Sequence, residues 1–205
     1  MASFTSDVIL LCLTRDGAWA GGGTGPSEAA GAAAVADAVL CGALLLEEGR
    51  LVPVDASRLP AAVAAVLEHT DDPGAVVDEV GEDALRAGLE ELEARGDLAV
   101  QRSRFLGVLP TVRITVIDDE RRGALLAELT ALVEGEPVGE RGVLAFAILD
   151  AARILPFVRA VPEERRVEIL RGAIDTGGLA EGAARSVEQL RVAVYTSVFS
   201  VGPLH

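Results

Sequence analysis

The sequence predicts a mainly α fold, with a compact helical core and small β-hairpins. Most apolar residues fall in runs with helical spacing that begin at capping residues and end at glycine. Two pairs of short β-like runs are each joined by a turn. Half of the 205 residues are hydrophobic, which is enough for one sizeable core. We therefore expect a single domain over residues 1–205.

The first elements are an apolar run and an alanine-rich helix. The run "DVILLCL" is predicted to start the core, with Ser6 as its N-cap and Asp16-Gly17 as the turn after it. The glycine-rich stretch "GGGTGPS" then leads into a helix with Pro26 near its first turn and Glu28 at the positive end of its dipole. The small alanine face of this helix allows close packing against a neighbour.

The glycine-rich stretch invites comparison with phosphate-binding loops. A P-loop requires lysine, which this chain lacks, and the dinucleotide pattern requires a preceding buried strand. We interpret the stretch as a flexible connection, with weak anion binding at the helix N-terminus as the alternative.

The middle of the chain is predicted to alternate hairpins and helices. A tight hairpin turns at Glu48-Gly49, and Asp55 or Ser57 caps the helix that follows it. Residues 71–97 are expected to form two helical pieces, the second ending at Gly96.

The last third is predicted to be helical. Asp118 or Asp119 caps a helix after the second hairpin. Three further apolar helices are expected over 139–161, 162–174 and 182–201.

The net charge of −14 opposes broad attraction to DNA, RNA or anionic lipid, although a local basic patch is compatible with it. Cys12 and Cys41 lie in apolar runs, and the N-terminus has no secretory signal pattern. We expect a cytoplasmic protein with reduced thiols buried in the core. No apolar run reaches the length of a membrane-spanning helix, so any membrane contact would be peripheral.

Catalytic and nucleic-acid-binding functions are not favoured. Neither His69 nor His205 lies near a nucleophile or a set of metal ligands, so we expect no enzyme, metal or cofactor. The segment from Leu85 to Val116 has the outline of a winged helix, but its acid-rich helix would repel a duplex, which argues against nucleic acid.

The second hairpin has an unusual predicted tip. Its sequence, "QRSRFLGVLP", places large apolar side chains where hairpins normally carry polar turn residues. From the residues alone, this tip fits a membrane surface, a groove on a partner or the protein's own core equally well. Two arginines form its collar and four apolar residues its tip: Arg102, Arg104, Phe105, Leu106, Val108 and Leu109.

Several blocks, taken in order, resemble the Golgi-phosphoprotein-3-like family, including its bacterial members. They are "DVILLCLTRDGAW", "ADAVLCGALLLEEGRLVPVD", "ALRAGLEELEARGDLAVQRSRFLGVLPTVRITVID", "ERGVLAFAILDAARILPFV" and "SVEQLRVAVYTSVFS". The resemblance implies a helical core with small hairpins. Its eukaryotic members are peripheral Golgi proteins that bind phosphatidylinositol 4-phosphate and capture cytosolic tails of glycosyltransferases.

The resemblance also implies a headgroup pocket with a tryptophan and several arginines, beside a hairpin that enters the bilayer. Trp19 matches the tryptophan, although a lone tryptophan is also typical of the edge of a core. The arginine positions of the family fall near Gly31, Glu82 and Leu85, with only Arg86 close by. Because a phosphomonoester needs charge-assisted donors, we predict weak discrimination between headgroups.

The sequence therefore predicts a peripheral membrane protein that binds anionic or phosphoinositide lipid through Trp19, Arg86 and the second hairpin. The alternative is a protein-interaction adaptor that uses this hairpin to form a homo-oligomer or to bind a client protein.

Overall fold

The computed structural model describes residues 3–20, 25–105, 109–154 and 161–175, and the side chains of these residues other than 102–105, 109–112, 174 and 175. Its elements are α1 (Phe4–Cys12), α2 (Gly25–Leu40), β1 (Leu44–Glu47), β2 (Arg50–Pro53), α3 (Ala61–Leu67), α4 (Pro73–Arg95), β3 (Leu98–Phe105), β4 (Leu109–Val116), α5 (Asp119–Glu134), α6 (Glu140–Ala151) and α7 (Glu163–Asp175). The strands form two separate antiparallel hairpins, β1–β2 and β3–β4. This mainly α fold with small hairpins confirms the predicted fold class.

Helix α1 is the centre of the core. It is buried on nearly all sides and packs against α2, α4, α5 and α6. Its N-cap is Ser3, whose Oγ accepts the Ser6 N–H at 3.1 Å, so the predicted cap at Ser6 is wrong by three residues. Ser6 lies buried in the first turn instead.

Two carboxylates from other helices satisfy the buried N-terminus of α1. Asp37 of α2 accepts the backbone N–H groups of Phe4 and Thr5 at 3.0 and 2.9 Å. Glu91 of α4 accepts the backbone N–H and the hydroxyl of Ser3 at 3.1 and 2.5 Å. Free N–H groups at a helix start need such acceptors, and the helix dipole favours negative charge there.

Replacing Asp37 should therefore weaken the fold. We expect Asp37→Ala to lower the free energy of unfolding by about 2 kcal/mol, because it leaves two buried donors without their acceptor. Asp55→Ala is the matched control, since Asp55 caps only an exposed turn at residues 56–58. Urea denaturation measures both variants. Equal losses for the two would contradict the special role of Asp37.

Helices α2 and α4 cross at two glycines. A Cβ on Gly31 would lie 2.2 Å from the Val77 carbonyl oxygen, and one on Gly81 would lie 2.7 Å from the Ser27 carbonyl oxygen. Helix α4 runs without a break through Gly81, so the prediction of two helical pieces is wrong. The glycine is retained inside the helix because it permits this close contact.

The β1–β2 hairpin turns where predicted. Glu48 and Gly49 both have positive φ angles, 49° and 80°, which is the conformation of a type I′ turn. Asp55 accepts the Ser57 N–H and caps the short turn at residues 56–58. Helix α3 then begins after Pro60 without a side-chain cap.

The remaining predicted boundaries are confirmed in part. Helix α4 ends at Gly96 in the left-handed conformation, and Asp118 caps α5 by accepting the Arg121 N–H. Two of the three expected C-terminal helices correspond to α6 and α7. The third, over 182–201, lies outside the described residues.

Among the described helices, none has both the length and the apolar character that crossing a bilayer would require.

The two cysteines are free but differ in burial. Cys12 is fully buried, and burial raises the pKa of its thiol well above the usual range. Cys41 is only half-buried, with its Sγ 3.3 Å from the Ala38 carbonyl oxygen, so the prediction that both lie in the core is wrong for Cys41.

We expect an aromatic disulfide reagent to label one thiol in the native protein and two after denaturation. The thiolate is the reactive species, and Cys12 is shielded from both ionisation and the reagent. Cys41→Ser should abolish the native signal. Labelling that persists in this variant would contradict the burial of Cys12.

Candidate functional site

The β3–β4 hairpin is the first part of the candidate site. Its register pairs Leu98 with Val116 at the base and Phe105 with Leu109 next to the tip. At the base, Leu98 and Ile114 are buried, whereas Arg113 is exposed. The base is therefore anchored on the helical core by one face.

The predicted tip is only partly described. The backbone of Arg102, Arg104, Phe105 and Leu109 lies in the two strands, so β3 and β4 extend into the stretch that was predicted as the tip, with Arg104 opposite Pro110. Leu106 and Val108 lie outside the described residues. Their contact with lipid stays a prediction.

The hairpin carries the opposite charge to the rest of the chain. Between Asp97 and Asp118 there are three arginines and no acidic residue, so this stretch carries +3. Subtracting +3 from the chain's −14 leaves −17 on the remaining residues. The third arginine, Arg113, is exposed and has no ion pair with any residue that the structure describes. It did not enter the sequence-based site, although its position in a stretch without acids could have revealed it.

Trp19 belongs to a loop that contacts the base of this hairpin. It forms a backbone bridge with Leu13 and is half-buried against the core. The loop between these two residues touches β4 so closely that a Cβ on Gly17 would lie 1.9 Å from the Ile114 carbonyl oxygen. Gly17 also has a φ of 78°, which favours glycine. The structure therefore places the loop that carries Trp19 against the base of the hairpin.

Arg15 adds a further positive group to this loop. Its side chain is 82% exposed and pairs with Asp119 at 3.1 Å. It stands in the first motif block but was not assigned to the site, because its place near the hairpin depends on the tertiary contact at Gly17.

Arg86 lies elsewhere. It is 68% exposed and pairs with Asp83 at 2.5 Å. It lines a cleft of about 500 Å³ that also includes Ser3 and Thr5, at the start of α1, whereas Trp19 follows the end of that nine-residue helix. Such a helix is about 13 Å long, so Arg86 and Trp19 do not form one pocket.

The cleft around Arg86 is acidic. Its floor consists of small apolar side chains, and four carboxylates lie among its lining residues: Asp37, Asp83, Glu90 and Glu91. An anionic headgroup would be repelled there. The electrostatics thus favour the hairpin over this cleft as a candidate surface for an anionic ligand.

The positions aligned with the family's arginines offer little to an anion. Gly31 is buried in the helix crossing and has no room for a side chain. Glu82 is exposed and negative, and Leu85 is half-buried against the core. These positions provide no charge-assisted donor for a phosphate.

Other chemistry is sparse in the described ranges. They contain no group of His, Cys, Asp and Glu side chains arranged to hold a metal ion. His69 is exposed, and its Nε2 lies 2.9 Å from Glu79 Oε2 in a surface pair.

The comparisons with known proteins agree with the order of blocks in the sequence. A search of curated proteins gives no match. The sequence profile of the family described as Golgi phosphoprotein 3 (GPP34) matches residues 5–190, which include α1, both hairpins and α7. The chain therefore belongs to the Golgi phosphoprotein 3 family.

Proposed function

We propose that this protein is a non-enzymatic, cytoplasmic protein that binds the surface of anionic membranes through the β3–β4 hairpin. The observation that carries the proposal is the local reversal of charge. The hairpin carries +3 and has apolar residues in its predicted tip, whereas the rest of the chain carries −17. An anionic surface attracts the hairpin and repels the rest of the chain, so the charges also orient the protein.

The expected energies support hairpin insertion. Burying a large apolar side chain contributes about 1.5–3 kcal/mol, and Phe105 and Leu106 would both be buried. Each arginine near an anionic surface adds about 1 kcal/mol. Reversible binding follows from these values, and strong salt dependence follows from the arginines.

The headgroup is proposed to matter mainly through its charge. The positions of the family's arginines are occupied by Gly31, Glu82 and Leu85, and Arg86 pairs with Asp83. We therefore expect phosphatidylinositol 4-phosphate to bind no better than other anionic lipids at equal surface charge. A competition assay with soluble headgroups tests this, and a strong preference for that lipid would contradict it.

A second candidate function is a protein-interaction adaptor. Its hairpin would then bind a second copy or a client, because the apolar residues predicted at the tip would also fit a protein groove. The cleft near Arg86 favours a client as well, since its apolar floor and acidic residues suit a basic, apolar segment.

Flotation with lipid vesicles separates the two candidates. Neutral phosphatidylcholine vesicles are compared with vesicles that contain phosphatidylserine, at low and high salt. The membrane proposal predicts flotation only with the anionic vesicles and less of it at high salt. Absence of flotation, together with an oligomer that forms with rising concentration, would favour the adaptor.

A further inference from the structure

Two adjacent arginines at the start of α5 contact both parts of the candidate site. Arg121 donates from Nη1 to Asp97 Oδ2 at 3.0 Å and from Nη2 to Asp7 Oδ1. Asp97 immediately precedes β3, and its carbonyl oxygen accepts the backbone N–H groups of Ile117 and Asp118 at 2.8 and 3.0 Å. Arg121 therefore links the closed base of the hairpin to the central helix α1.

Arg122 contacts the Trp19 loop, which comprises residues 13–19. Its buried Nε donates to the Leu13 carbonyl oxygen at 2.7 Å, and Leu13 is the bridge partner of Trp19. Successive residues of a helix point about 100° apart, so neighbouring arginines can reach two different elements. The same turn of α5 thus fixes the hairpin on one side and the Trp19 loop on the other.

Further charges surround Arg121. Asp7 also accepts from Arg141 at 3.1 Å, and Asp97 also pairs with Arg95 at 3.2 Å. Arg95 in turn faces Glu91 at 3.6 Å. The cluster thus combines charged groups from α1, α4, α5 and α6 with the residue that precedes β3.

The cluster is better suited to fixing geometry than to adding stability. Burial raises the pKa of the Asp7 and Asp97 carboxyls, against the opposing effect of the nearby arginines. Removing water from the carboxylates is therefore costly, and buried ion pairs of this kind often contribute little net stability.

We infer that Arg121 and Arg122 are positioning residues that hold the hairpin base and the Trp19 loop in a fixed relation, so that both meet one surface together. The benefit to membrane binding rests on the proposed function. We call this connection of Arg121 and Arg122 with the hairpin base and the Trp19 loop the mount. It is a property of the free protein, so it is measured without lipid.

Two variants in the full chain test the mount. Arg121→Gln should speed hydrogen exchange of the backbone amides at residues 98–118 about tenfold, which corresponds to about 1.4 kcal/mol of local opening free energy. Arg122→Gln should shift the fluorescence of Trp19 to longer wavelength, and this emission is specific because the chain has one tryptophan. Arg121→Lys keeps the charge but not the two-pronged contact, so it should fall between wild type and Arg121→Gln.

Arg166→Gln is the matched control. The Arg166 side chain is 16% exposed, compared with 18% for Arg121, and pairs with Asp150 at 2.6 Å between α7 and α6. It should lower the thermal midpoint while leaving hairpin exchange and Trp19 emission unchanged. If Arg121→Gln fails to fold, exchange in Arg121→Lys decides the question.

Unchanged hairpin exchange and unchanged Trp19 emission in the α5 variants would overturn the inference. The inference would also fail if Arg166→Gln changed hairpin exchange and Trp19 emission as much as the α5 variants do. If the variants respond as expected but the wild-type protein binds no anionic vesicles, the mount is supported and the membrane proposal fails. Conversely, vesicle binding with no response in the variants supports the membrane proposal and overturns the mount.

Discussion

Changing Phe105 and Leu106 together to aspartate is expected to abolish binding to anionic vesicles without lowering the thermal midpoint. Two large side chains contribute at least about 3 kcal/mol when they enter a bilayer, which is about 100-fold in affinity. The added negative charges would also oppose the effect of Arg102, Arg104 and Arg113. Flotation measures the binding, and differential scanning calorimetry measures the midpoint.

The matched control is Leu45→Asp with Val54→Asp. These residues are 43% and 58% exposed, at the other hairpin, and the pair of substitutions makes the same change in net charge. It should retain most vesicle binding. If the thermal midpoint of the tip variant falls sharply, the tip belongs to the core and the membrane proposal fails. If the tip variant only dissociates an oligomer, the hairpin serves the adaptor function instead.

Local sequence signals were sufficient for the hairpins and for most helix ends. Glu48-Gly49 specified a two-residue turn, and Gly96 and Asp118 marked the boundaries around β3–β4. These features depend on residues that are close in sequence, where conformational preferences act directly. The charge of the hairpin could be read in the same way, since it depends only on the absence of acids between Asp97 and Asp118.

Signals that depend on distant contacts could not be read locally. Ser3 and Ser6 are both competent N-caps, and Ser3 serves because Glu91 reaches it from α4. The two helical pieces predicted over residues 71–97 form one helix, in which packing against α2 overrides the low helix propensity of Gly81. Likewise, the contact between Gly17 and Ile114 brings the loop that carries Trp19 to the hairpin base. Arg86 instead lines a cleft at the start of α1, and neither position follows from the local sequence.

The crossing of α2 and α4 also explains why position 31, where the resemblance implies an arginine, has no room for a side chain here. A side chain at Gly31 would have to enter the space of the Val77 carbonyl group, and its Cβ would also lie 3.1 Å from the Gly81 Cα. Both neighbours are backbone atoms, which cannot rotate away as a flexible side chain could. The two helices would have to separate, and buried contacts of the central helix α1 with both of them would be lost.

We therefore expect Gly31→Ala to be among the most destabilising single-methyl substitutions in this protein. Overpacking of a core typically costs 1–3 kcal/mol, and contact with backbone favours the upper end, about 3 kcal/mol. For a chain of this size that corresponds to a fall of about 6–12 °C in the thermal midpoint. Gly123→Ala is the control, because Gly123 lies inside α5 and a Cβ there would meet nothing within 4 Å, so alanine should stabilise the helix by about 0.5–1 kcal/mol. The two glycine variants thus differ in sign although each adds one methyl group to a helix. A Gly31→Ala variant that melts with the wild type would show that the helices can move apart at little cost, and a functional side chain at position 31 would then become feasible.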